Sequence, residues 1–307
     1  MKKYKITLHI VLFILTFFTT TLAGVLWLNY DPTDLLNFYR GLPYSISILL
    51  IIGSHEFGHY FAARYHKVES TLPYFIPFPP SSGFLNFGTL GAIIKTRHIP
   101  NTKVMFDIGI AGPLVGFIFT LLICIIGITT LPGKEFIESI HPNYFSTPQQ
   151  GLGLEFGDTI LFNLLVSIFS NPESSFIPPM SEIYHYPFLC AGWFGLFVTA
   201  MNLLPIGQLD GGHISYAMFK EKHIYISYII FSVILISGLL SLLQYFAIII
   251  PFVWSGWLFW GLVLFFIVKL EHPKIEIEID LDFKRMALGY FAFFILLISI
   301  TPVPFNI

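Results

Sequence analysis

The chain has 307 residues, of which 55% are hydrophobic, 18% aromatic and only 11% charged, with a mean hydropathy of +0.76. Soluble globular proteins carry about 25% charged residues, so a water-solvated fold is excluded, and the 34 Phe suit a lipid solvent. The formal net charge of -2 carries no signature of a nucleic-acid partner. Length alone suggests two domains, but membrane-spanning segments absorb most of it.

A span needs about 20 mostly apolar residues. Segments at about 6–28, 42–65, 104–131, 187–206, 224–249, 251–270 and 286–304 qualify, with Pro251 dividing two runs that also read as one broken pair. The expected fold class is an all-α polytopic membrane protein with about six or seven transmembrane helices. Lys2, Lys3 and Lys5 precede the first run, which ends in Thr21-Leu22-Ala23. That run exceeds the ~7–15 residues of a signal-peptide core, so a retained helix is expected.

With the N-terminus inside, the inner segments hold Lys2, Lys3, Lys5, Arg64, Lys67, Lys95, Arg97, Lys103, Lys220, Lys222, Lys269, Lys274, Lys284 and Arg285. Of the 16 basic residues, only Arg40 and Lys134 fall outside. The positive-inside rule therefore favours seven spans, N-terminus in and C-terminus out. Residues 66–103 form an inner loop rich in Pro, Gly and aromatics. A small re-entrant or membrane-surface β-hairpin, around Gly83–Lys95 and extending over 75–97, suits it better than free solvation. The outer loop 132–186 is acidic, with an apolar stretch at 159–169 suited to a membrane surface. Gly151-Leu152-Gly153 reads as a turn. Cys124 and Cys190 lie in apolar runs and read as packed core residues. The expected organisation is an N-terminal helix and external loop (1–41), a catalytic membrane core (42–222) and C-terminal helices (223–307).

Within the second span stands Ser54-His55-Glu56-Phe57-Gly58-His59. Helical positions i and i+4 lie about 40° apart, so both imidazoles face one way and can chelate one metal. Glu56 sits beside them, where it can take a proton from water. Two packing histidines and a glutamate fit poorly, because a charge at mid-membrane costs about 2.5–3.5 kcal/mol or more. A catalytic zinc needs a third protein ligand and one open position. The fourth span runs into Asn202-Leu203-Leu204-Pro205, then Leu209-Asp210-Gly211-Gly212-His213. Asp210 is suited to that ligand role by depth, and equally suited to capping a helix that starts near Gly212. Asp107 reads as an interfacial or hydrogen-bonding group, His213 as a turn histidine or a ligand-orienting one, and Gly109, Gly112 and Gly116 as helix-packing positions.

The His-Glu-x-x-His motif followed by Asn-x-x-Pro-x-x-x-Leu-Asp-Gly resembles the site-2 protease family of intramembrane zinc metalloproteases, peptidase family M50. Gly88-Thr89-Leu90-Gly91, Ala111-Gly112-Pro113 and Glu271-His272-Pro273 extend the likeness to the branch of chloroplast EGY-type proteases and their bacterial relatives. Lys274 departs from the proline expected of that branch. The resemblance implies one zinc ion per chain on His55, His59 and Asp210, Glu56 as general base and Asn202 contacting substrate. It implies a zinc metalloendopeptidase that cleaves transmembrane segments of protein or peptide partners within the lipid bilayer. The loop 132–186 is too short for the PDZ domain that many members carry there. The expected setting is a bacterial inner or plasma membrane, with the active-site side cytoplasmic. The alternatives are a membrane zincin with a glutamate ligand acting outside the bilayer, an inactive chaperone-like metal-binding protein, or a metal transporter.

Overall fold

The structure, a computed structural model, describes residues 3–80, 86–146, 153–171 and 176–306. The expected hairpin tip around Gly83 and the Gly151-Leu152 part of the expected turn lie outside these residues. Helix α1 (Lys3–Trp27) and α2 (Leu42–Tyr65) are joined by a 3-10 segment, and Pro43 opens α2 in the first turn, where its missing N–H costs nothing. Strands β1 (Tyr74–Pro77) and β2 (Thr89–Ile93) precede α3 (Thr102–Thr129), whose Asn101 cap accepts from the Val104 N–H at 2.9 Å. The loop that follows holds α4 (Lys134–Ile140), β3 (Glu155–Phe156) and α5 (Ile160–Phe169), the last covering the apolar stretch expected at 159–169. Then come α6 (Pro187–Leu203), α7 (Asp210–Phe219), α8 (His223–Ser241), α9 (Gly256–Val263, continued by a π turn to Val268), α10 (Phe283–Ser299) and β4 (Phe305–Asn306).

Among the described residues, four helical stretches are long and apolar enough to cross a membrane: Ile6–Trp27, Leu35–Tyr65, Thr102–Thr129 and Asp210–Phe246. The spans expected at 187–206 and 286–304 are helices of 17 residues each, and the one at 251–270 is a shorter apolar helix, Gly256–Val268. At 1.5 Å per residue, 17 residues reach about 26 Å, a few ångströms short of the ~30 Å hydrocarbon core. Length therefore supports four spans, and the expected count of six or seven is not reached by this criterion. Proline sets the limits: Pro205 follows α6, Pro251 precedes α9 and Pro302 follows α10.

Helix α6 is the centre of the bundle, buried along almost its whole length, with α2 and α3 packed on it and on each other and α7 laid on α3. Trp193 and Phe194 of α6 sit with Phe156 and Phe305 in one aromatic cluster. The β3–β4 pair (Phe156 opposite Phe305) thus fastens the C-terminus to the bundle, a pairing of two-residue strands that carries no periodic signal. Cys124 and Cys190 are free and fully buried, as expected of packed core residues. Ile229, Val233 and Ile236 of α8 are exposed, a face suited to lipid rather than water.

Strands β1 and β2 pair antiparallel, Tyr74 opposite Ile93 and Phe75 opposite Ala92, with an irregularity before Pro77, where proline lacks a ladder donor. The sheet is tied to α1: the His9 ring donates to the Pro73 carbonyl at 2.9 Å and the Thr19 hydroxyl to the Gly88 carbonyl at 2.6 Å. It also packs on α2, which brings the end of β2 to the histidine-bearing helix.

Candidate metal centre

His55 and His59 occupy successive turns of α2 and are both buried. Their Nε2 atoms lie 3.1 Å apart. The Nδ1–H of His59 donates to the Ile108 carbonyl of α3 at 2.7 Å, which leaves the Nε2 lone pair directed at the cluster. Asp210 approaches from the other side: its Oδ2 is 3.2 Å from His55 Nε2 and its Oδ1 3.3 Å from His59 Nε2. Tetrahedral coordination at about 2.0–2.1 Å would set donor atoms about 3.3 Å apart. The three donors therefore already stand at the spacing a zinc-sized cation requires.

Asp210 is the first residue of α7, and the cap position belongs to Leu209, with no side-chain cap hydrogen bond. The Asp210 carboxylate turns to the two imidazoles, which favours the ligand reading over the capping one. Gly211 and Gly212 do not form a left-handed turn; they are helical. Their lack of side chains admits the backbone of the preceding turn, because a Cβ would stand 2.0 Å from the Leu203 carbonyl oxygen or 2.2 Å from that of Gly207.

Helix α3 supplies the floor. A Cβ on Gly112 would lie 2.1 Å from His59 Nε2, so only glycine lets the ring keep its place. Gly112→Ala is expected to displace that ring and cost about 1–3 kcal/mol of stability. Gly53→Ala, whose Cβ meets only Phe75 Cζ at 3.7 Å, should stay within about 0.5 kcal/mol. Thermal unfolding of the two purified variants gives the comparison, and equal midpoints would remove the steric argument.

Glu56 lies beside the cluster, buried on α2, and the backbone N–H of Ile94, just past β2, is directed to its carboxylate. A cavity of about 300 Å³ opens over these groups, with Ala92 and Ile93 on one wall and Asn202, Gln208 and His213 on another. Asn202 Nδ2 is 3.5 Å from His55 Nε2. All five residues expected from the sequence thus border one cavity.

Asp107 is turned away from it and paired with Arg285, Nε to Oδ1 and Nη2 to Oδ2 each at 2.7 Å, with His66 Nε2 3.0 Å from Oδ2. Arg285 also pairs with Asp282, whose carboxyl is held down to about 2 chiefly by the Arg285 backbone N–H. His272 is a neighbour that sequence reasoning left without a role. Its Nε2 is 2.7 Å from His213 Nδ1, and Tyr216 stacks on it with centroids 4.4 Å apart. Burial lowers the pKa of the His272 ring, favouring the neutral imidazole. Glu271-His272-Pro273 stands out in the sequence as a motif, yet no spacing relates position 213 to 272.

Two imidazoles and a carboxylate converging inside a bundle of membrane-length helices define a polytopic membrane protein with a prospective metal centre. The description of Peptidase family M50 matches residues 43–243, more than half of the chain, and the chain belongs to that family. A rice protein (Oryza sativa subsp. japonica) named "Probable zinc metalloprotease EGY1, chloroplastic" is 31% identical over 191 residues, covering 60% of this chain and 29% of its own. An Arabidopsis thaliana protein named "Probable zinc metalloprotease EGY2, chloroplastic" is 24% identical over 281 residues, 90% of this chain and 44% of its own. The chain spans less than half the length of either of these relatives. No solved structure matches the chain.

Proposed function

We propose that this chain is a zinc-dependent membrane endopeptidase that cleaves transmembrane segments of other proteins, working from a catalytic core at 42–222. The observation that carries the reading is the approach of His55, His59 and Asp210 to within about 3.3 Å of one another, with Glu56 at the same cavity. The family supports it, as do the names of the relatives. Their "chloroplastic" setting is a property of those proteins, and the chain's own basic-residue asymmetry supports an active site on the cytoplasmic side of a plasma membrane.

Zinc held by His55, His59 and Asp210 would polarise the scissile carbonyl and acidify a water molecule. Glu56 accepts the proton of the attacking water and returns it to the departing amine. Asn202 is placed to hold the peptide next to His55. A substrate helix must unwind to expose its peptide bond, and its freed amides need partners. The edge of β2, with Ala92 and Ile93 on the cavity wall, can supply them by strand addition.

The purified protein, loaded with zinc, is expected to cleave a single-span reporter within its apolar segment and to lose that activity on chelation. Cleavage confined to soluble peptides would favour a zincin acting outside the bilayer. The side is tested separately. His55 lies about ten residues before the Arg64–Lys67 anchor, or roughly 15 Å along an untilted helix. A cysteine at Ser54, with Cys124 and Cys190 replaced, should react with a small permeant reagent and resist a bulky one applied outside. Strong labelling from outside would reverse the orientation.

A further inference from the structure

A second group of donors stands apart from this cavity, at the opposite end of α6 from Asn202. His141 caps the C-terminus of α4, and Glu182 and His185 flank the short 3-10 turn that leads into α6. Their donor atoms all lie within 4.8 Å of one another. His141 Nε2 is 3.0 Å from His185 Nε2, and Glu182 Oε2 is 3.4 Å and 3.7 Å from the two rings. These separations bracket the ~3.3 Å expected between the ligands of a tetrahedral zinc.

The hydrogen bonding of the group is incomplete while Glu182 is ionised. His185 Nδ1 lies 2.5 Å from the Trp27 carbonyl, a contact that requires Nδ1–H and leaves Nε2 as a lone pair facing inward. If His141 donates its Nε2–H to that lone pair, Glu182 Oε2 remains unserved, and among the described residues this buried oxygen has no hydrogen-bond partner. Glu182 is 2% exposed and His185 1%. Among the described residues, no lysine or arginine pairs with Glu182. An acceptor-only carboxylate buried beside an imidazole lone pair is costly in the absence of a positive partner.

We propose that His141, Glu182 and His185 form a second site for a divalent transition metal of the zinc class, with one position open to water. Two imidazoles and one carboxylate suit zinc, and equally cobalt or nickel, better than calcium or magnesium. A cation there would pin the α4 end of the loop to the entrance of α6, while the His185 ring fastens that entrance to the end of α1. Because α6 carries Asn202 at its other end, about 26 Å away, the clamp would brace the helix that borders the catalytic cavity.

The test is a metal count on the full-length chain purified in detergent, exchanged against zinc and freed of loose ion. The wild type is expected to hold two zinc per chain, H55A/D210A one and H55A/D210A/H141A none. Zinc should raise the thermal midpoint of H55A/D210A, and His141→Ala in that background should abolish the rise. Glu182→Gln, nearly isosteric, provides the same loss should His141→Ala fail to fold. Cobalt in H55A/D210A should give the intense visible bands of a low-coordinate nitrogen and oxygen site. An H55A/D210A protein without bound zinc overturns the second site, as does zinc that survives both His141→Ala and Glu182→Gln. If the first site were the one at fault, the wild type would hold one zinc and His141→Ala alone would remove it.

Discussion

Glu56→Gln is expected to retain bound zinc while cleavage of a transmembrane reporter falls by about 10²–10⁴-fold, the usual worth of a positioned general base. The two effects separate because other side chains would hold the metal. His55, His59 and Asp210 converge within about 3.3 Å of one another, and Glu56 stands beside that group without replacing any member. The amide preserves size and keeps an oxygen for the Ile94 N–H, so the cavity should keep its shape. Zinc content by mass spectrometry and single-turnover cleavage on the same preparation give the comparison. Cleavage near the wild-type rate would remove Glu56 from the mechanism, and loss of zinc would make it a ligand.

Asp210→Ala is expected to lower zinc affinity and activity together. Loss of an outer-shell partner costs about 10–100-fold in metal affinity, and removal of a direct ligand should exceed that range. The substitution also leaves two imidazole nitrogens 3.1 Å apart without the carboxylate that spans them. Asp107→Ala is the control. Its carboxylate is engaged by Arg285 and His66, so zinc stoichiometry should be unchanged even if stability falls. Equilibrium competition against a chelator of known affinity measures both variants. Wild-type zinc binding by Asp210→Ala would place the third ligand elsewhere.

These expectations draw unequally on sequence and structure. The expected spans at 42–65 and 104–131 return as helices over Leu42–Tyr65 and Thr102–Thr129, because long apolar runs with capping residues are local signals. The packing partners of the histidine-bearing helix are less visible. Gly112 reads in sequence only as a packing residue, and its contact with the His59 ring appears once α2 and α3 are docked. The expected count of six or seven spans is not confirmed by helix length, for a related reason. The expected spans at 187–206 and 286–304 run through Pro205 and Pro302, whereas the helices stop short of them at Leu203 and Ser299.

The sequence by itself determined the lipid solvent, the long helices and the pairing of His55 with His59 on one face, because helical period and hydrophobic run length act over a few residues. It also held the Leu209-Asp210-Gly211 segment as a candidate with two meanings. The tertiary structure favours the ligand meaning, by starting α7 at Asp210 and aiming its carboxylate at two rings more than 150 residues earlier in the chain. The same holds for Asp107 with Arg285, His213 with His272, and the His141–Glu182–His185 group seated on Trp27. Each joins side chains whose separation along the chain carries no periodic trace. Their geometry exists only where packed helices bring distant backbone segments together.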